Sequence, residues 1–215
     1  MKRSTWLAPC LLPLLALLAA PLAAAEQLPS DDRIKTGTLE NGVKWIYRHN
    51  ANPPERMNVL IHVDSGSLNE TEEQRGLAHF LEHMAFNGTE NFKPGELIPY
   101  FESIGMEFGP DLNAFTGFDQ TAYLLILPNN KVETVDKGLL VLSDYVFRQT
   151  LTNEELDKER GVILAEKRAG MSAQQRLRDK FFSQVFEGSR VSKRLPIGLE
   201  EVIEKAPREQ FEKYY

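Results

Sequence analysis

Cysteine is nearly absent from this 215-residue chain, Cys10 being the only one. With no second thiol there can be no internal disulfide, so a hydrophobic core, helped by any bound metal, must hold the fold. Positive charge is also scarce: 25 Lys and Arg stand against 31 Asp and Glu, a formal net charge of −6. That balance, with no basic tract, argues against a nucleic-acid partner. No internal repeat or low-complexity tract follows the first 25 residues, which excludes a solenoid. Long apolar runs are limited to one, from about Trp6 to Ala20, preceded by Lys2 and Arg3 and followed by Ala23-Ala24-Ala25. This is the layout of a cleavable secretory signal peptide over residues 1–25, with cleavage before Glu26. Pro9, Pro13 and Pro21 interrupt it, and it is short for a membrane span, so no stable anchor is expected after cleavage. Cys10 leaves with the signal, and the loss of Lys2 and Arg3 moves the formal charge from −6 to −8. The expected mature chain, residues 26–215, is long enough for one domain with a real core, in the periplasm or outside the cell.

What the sequence does contain is His79-Phe80-Leu81-Glu82-His83. On a helix, His79 and His83 share one face with Glu82 beside them, which is the arrangement of a zinc site with its own general base. The order H-x-x-E-H is the inverzincin pattern. Leu77, Phe80, Leu81 and Met84 form a separate apolar stripe, so the helix has one face for the core and one for chemistry. A third protein ligand is needed. Candidates lie in a helix beginning at the cap-like Thr152 or Asn153, where Glu159, Val162, Ile163 and Glu166 fall on one stripe. Two carboxylates on an apolar face call for a metal or another partner. Arg160, Lys167 and Arg168 point away from that stripe, and periodicity leaves the choice between Glu159 and Glu166 open.

The remaining pattern is mixed. Thr38 to Tyr47 reads as a hairpin about Asn41-Gly42. Asn58 to Val63 alternates as a half-buried strand with Val59, Ile61 and Val63 inward. The motif helix runs from about Gly76 to a stop at Asn87-Gly88. Further helices are expected from Pro94 to Gly105, Val132 to Phe147 and Asn153 to Ala169, with a strand from Thr121 to Leu127. The fold class is α+β, with helices on one face of a largely antiparallel sheet. His49 and His62 fall on strands away from the motif, and Asn113 also suits a turn.

The runs Asp64-Ser65-Gly66-Ser67, Arg75 to Thr89, Asn113-Ala114-Phe115-Thr116 and Thr121-Ala122-Tyr123, with Glu159 and Glu166 seven residues apart, resemble the pitrilysin-type (M16) zinc peptidases. Among these they are most similar to bacterial periplasmic zinc proteases of the PqqL type. The resemblance runs from about Gly37 to the end. It implies an M16 peptidase-like domain with Zn2+ on His79, His83 and Glu166, Glu159 supporting the site and Glu82 as base. It also implies that Asn113 and Ala114 lie beside an extended peptide or unfolded polypeptide, held by strand addition. Family enzymes close a chamber from two related halves, so a second M16-like half in cis or trans is an expected partner, and this chain is expected to be an amino-terminal portion with an incomplete sheet. A non-catalytic peptide-binding or structural module of the same fold is the alternative function, and a zinc hydrolase of other substrates a third.

Overall fold

In the computed structural model, residues 31–215 are described; the expected signal peptide and the boundary at Glu26 lie outside them. Two units are distinct, one ending at Ala51 and the other beginning at Asn52. The first contains an antiparallel hairpin of β1 (Ile34–Thr38) and β2 (Lys44–Arg48). Its turn contains Asn41-Gly42, where Gly42 has a φ of 88°, a value glycine adopts without penalty. His49 lies just past the end of β2 and not on a strand, a small correction to the sequence reading.

The second unit is built on a three-stranded antiparallel sheet in the order β3-β5-β4, with β3 (Met57–Val63), β4 (Leu112–Thr116) and β5 (Thr121–Leu127). Along β3, burial alternates residue by residue, and Val59, Ile61 and Val63 are on the more buried side as expected. Helix α2 (Leu97–Ser103) and helix α3 (Val132–Phe147) pack with the inner face of the sheet around Phe101, Leu125, Leu127, Val141 and Tyr145. The opposite face leaves Leu60 and Phe115 about half exposed. Within this sheet β3 and β4 each pair on one side only, among the described residues. Asn113 lies within β4, so the turn reading fails; its side-chain oxygen accepts from the backbone N–H of Ala114, which masks its turn-like chemistry within a strand.

A second core joins helix α1 (Leu77–Met84) to α4 (Asn153–Ala169), α6 (Glu200–Lys205) and α7 (Arg208–Tyr214). Leu77, Phe80 and Met84 are fully buried, as the apolar stripe requires. Thr152 caps α4 by accepting from the N–H of Glu155. The expected α4 stripe needs correction: Ile163 and Glu159 are buried, but Val162 is 52% exposed. α4 meets α1 and α6, and Val162 lies on the flank those contacts leave open. Arg160 does point elsewhere, donating to the carbonyls of Ile203 and Ala206, with its guanidinium near the rings of Phe80 and Phe211. Between α4 and α6 lies α5 (Ala173–Val185), none of whose residues is buried. No helix among the described residues is long and apolar enough to cross a membrane.

Candidate metal centre

Helix α1 carries the inverted motif and begins at Gly76, whose φ of 109° is left-handed and whose missing side chain provides no cap. The cap comes from Glu70 instead. Its Oε1 accepts from the N–H groups of both Gly76 and Ala78 at 2.9 Å, placing a carboxylate at the positive end of the helix. Gly198 crosses Gly76 at the same point: a Cβ built on Gly198 would stand 2.2 Å from the Gly76 Cα. Leu199 then donates its N–H to the Arg75 carbonyl. The start of the helix is therefore fixed by backbone contact from a segment more than 100 residues later.

One turn on, His79 and His83 face α4 with their rings 4.7 Å apart, edge to face. The Glu166 carboxylate reaches both, with Oε1 3.7 Å from His79 Nε2 and Oε2 3.3 Å from His83 Nε2. One donor atom from each of His79, His83 and Glu166 lies within 4.8 Å of the other two. Ligands at zinc distances of about 2.0–2.1 Å in a tetrahedron stand roughly 3.3–3.4 Å apart, so the two imidazoles and one carboxylate fit such an ion with small adjustment. Glu166 is half exposed and sits at the rim of the site, so the argument from a buried carboxylate pair applies to Glu159 alone.

Glu159 makes different contacts. Its Oε1 is 2.7 Å from His83 Nδ1, and its Oε2 accepts from the Asn87 side-chain amide at 2.6 Å. A carboxylate on one ring nitrogen fixes the tautomer and turns the other nitrogen toward the ligand position. Burial by itself would lower the His83 pKa; the Glu159 hydrogen bond and the charges of Glu159, Glu166 and Glu82 overcome this and raise it. His79 has no such bond. Burial, with the His83 charge, brings its pKa down to about 4, which favours the neutral imidazole, the form able to bind a metal. Its Nδ1 is buried with no partner, so Nε2 is the nitrogen that faces the carboxylates.

Glu82 is buried beside the two histidines, and burial raises its pKa, partly opposed by a hydrogen bond from Thr116 Oγ1 to Oε2 at 2.5 Å. A carboxyl with a raised pKa is better matched to taking and returning protons near neutrality. Thr116 brings β4 against the motif. Asn113 and Ala114, earlier on the same strand, are not among the donor atoms gathered around His79 and His83. Sequence reasoning assigned no role in the site to Thr116, Asn87 or Glu70. Asn87 lies in the turn three residues past the end of α1 and Glu70 before its start, so neither gave a periodic signal. His62, on β3, pairs with Gln120 and Asp64 and lies outside the donor group.

Residues 46–196 match the Insulinase family (Peptidase family M16). A zinc protease PQQL-like protein of Arabidopsis thaliana is 37% identical over 179 residues, covering 83% of this chain and 19% of its own length. The probable zinc protease PqqL of Escherichia coli is 35% identical over 208 residues, 95% of this chain and 22% of the relative. The crystal structure of the first half of the periplasmic protease PqqL from Escherichia coli superposes with a TM-score of 0.82 at 34% identity, over 87% of this chain and 40% of that one. The chain thus spans about a fifth of the length of the curated relatives it matches. Its fold, its inverted His/Glu motif and its match over residues 46–196 make it a member of the insulinase family of peptidases, M16.

Proposed function

We propose that this chain carries the metal-binding part of a zinc-dependent endopeptidase that hydrolyses peptides or unfolded polypeptides. The observation that carries the reading is the convergence of His79, His83 and Glu166 within 4.8 Å, His83 and Glu166 being 83 positions apart in sequence, with the Glu82 carboxyl alongside. Zinc bound there supplies Lewis acidity, lowering the pKa of water to about 7 and polarising a carbonyl. Glu82 accepts the proton of the attacking water and later delivers it to the leaving amine. Thr116 holds Glu82 Oε2, leaving Oε1 for that proton. Glu159 orients His83 and is a positioning residue.

An extended peptide adds along β4 near Asn113 and Ala114, a strand whose only neighbour strand among the described residues is β5. A second M16-like half, in cis or in trans, supplies the opposing wall that orients substrate; the relatives' four- to fivefold greater length supports this. The signal-like residues 1–25 and the periplasmic relative support a periplasmic or secreted location.

The test is cleavage of an unstructured peptide mixture by the chain combined with the proposed second M16-like half, comparing wild type with Glu82→Gln. The variant is expected to retain zinc and lose hydrolysis. Full activity in Glu82→Gln would overturn the mechanism, and a zinc-loaded wild type that binds peptides without cutting them would make the chain a non-catalytic peptide-binding module.

A further inference from the structure

Glu70 is a fully buried carboxylate whose side chain caps the start of a helix from outside it. It sits in the short loop between two single-turn helical segments, Ser67–Asn69 and Glu72–Gln74, six residues before the helix it caps. Oε1 accepts two N–H groups of the first turn of α1, and one of them belongs to Ala78, the residue immediately before His79. Oε2 is buried with no partner, so the two N–H bonds to Oε1 and the charges of Arg194 and Arg75 offset only part of the desolvation cost. The backbone around it is tied down as well. The Glu70 carbonyl accepts from Arg190 and Arg194, Arg194 Nη2 reaches Glu72, and Ser67 Oγ donates to the Arg194 carbonyl. The carboxylate is thus held rigidly from one side and grips the metal helix on the other.

Resting on the zinc reading of the site, we propose that Glu70 is a positioning residue for the metal centre: by clamping the N–H groups of Gly76 and Ala78, it sets the position of the His79 imidazole relative to His83 and Glu166. An eight-residue helix has too few internal hydrogen bonds to define its own first turn, and a glycine start supplies no side-chain cap. His79 lies in that turn. It also lacks the supporting bond that Glu159 gives His83, so its placement depends on the backbone beneath it.

The experiment measures zinc affinity of the full chain by competition with a chromophoric chelator, together with the visible spectrum of the cobalt-substituted protein. Glu70→Ala is expected to weaken zinc binding about tenfold and to shift the cobalt bands, because the ligand geometry changes. Glu70→Gln, which keeps an acceptor oxygen of the same reach, is expected to stay close to wild type on both readouts. Val141→Ala, in the separate core beneath the sheet, is expected to lower Tm without moving either. If Glu70→Ala does not fold, Glu70→Asp replaces it: one methylene shorter, it cannot span both N–H groups and is expected to show the same weakening. Wild-type affinity and cobalt spectrum in a folded Glu70→Ala or Glu70→Asp would overturn the inference, as would an equal loss of affinity in Val141→Ala. Failure of the underlying reading looks different: zinc binding unchanged in a His79→Ala, His83→Ala double variant would remove the site itself, and this inference with it.

Discussion

Helices α1 and α5 stand for opposite ways of making a helix. Six of the eight residues of α1 are buried, and none of the thirteen of α5. α1 starts on a left-handed glycine and is too short to persist alone, so its helical form depends on the Glu70 clamp and the packing of Leu77, Phe80 and Met84. α5 has a local reason to form: Ser172 accepts from the N–H of Gln175 as an N-cap, and straight-chain residues fill its length. Its tie to the rest is light, with Phe182 stacked on Phe118 at 6.4 Å. Chemistry has been placed on the helix that cannot stand alone, and disturbance of its surroundings therefore reaches the two histidines directly.

The largest expected contrast comes from removing a ring on each helix. Phe80 is fully buried against Phe211 with centroids 4.7 Å apart, and Phe80→Ala should cost about 3–5 kcal/mol in denaturant unfolding. A loss below about 1 kcal/mol would mean that α1 does not depend on its packing.

Glu70 gives a contrast in pH. Burial pushes its pKa up to about 7, against the opposing pull of the Ala78 and Gly76 N–H groups and of Arg194 and Arg75, with Tyr214 also nearby. A carboxyl whose folded pKa is raised contributes stability that is complete below its unfolded pKa and is lost as pH rises through the folded value. Between about pH 4.5 and 7 the wild type should lose up to about 3 kcal/mol from this group, and Glu70→Gln should lack that decline. Parallel stability curves for the two proteins would remove Glu70 from the account.

A smaller effect separates the two α4 carboxylates. Glu159→Gln should weaken zinc about 10–100-fold by releasing His83, and Glu166→Gln should weaken it more. The reverse order in a chelator competition would make Glu159 the ligand. Smallest of all is Phe181→Ala on α5, where the ring is 59% exposed; the change should stay within about 0.5 kcal/mol. A loss matching that of Phe80→Ala would erase the distinction between the helices.

Most of the framework could be read from spacing alone. Thr121–Leu127, Val132–Phe147 and Asn153–Ala169 have the bounds that their apolar periods indicate. Strand β4 was not legible, because Leu112–Thr116 is five residues long with Asn113 and Thr116 in it, and its pairing with β5 is a tertiary fact. α6 and α7 were missed for similar reasons: at six and seven residues neither completes two turns, so no 3.6-residue period emerges. For the site, the His79/His83 pair was visible because both lie on one helix, and periodicity offered Glu159 and Glu166 together, with resemblance favouring Glu166 as the ligand. The partners Glu70 and Thr116 come from a loop and a strand, where no helical period marks them.

The crossing of Gly76 and Gly198 has a consequence for how this protein can vary. Each has positive φ, and each is approached by the other's backbone, so a side chain at either position meets main-chain atoms that cannot be trimmed by a second substitution. Ordinary core contacts drift by exchange, a larger residue here matched by a smaller one there. This contact admits no such exchange, and lineages descending from this fold can keep both glycines or rebuild the loop, with no neutral path between the two.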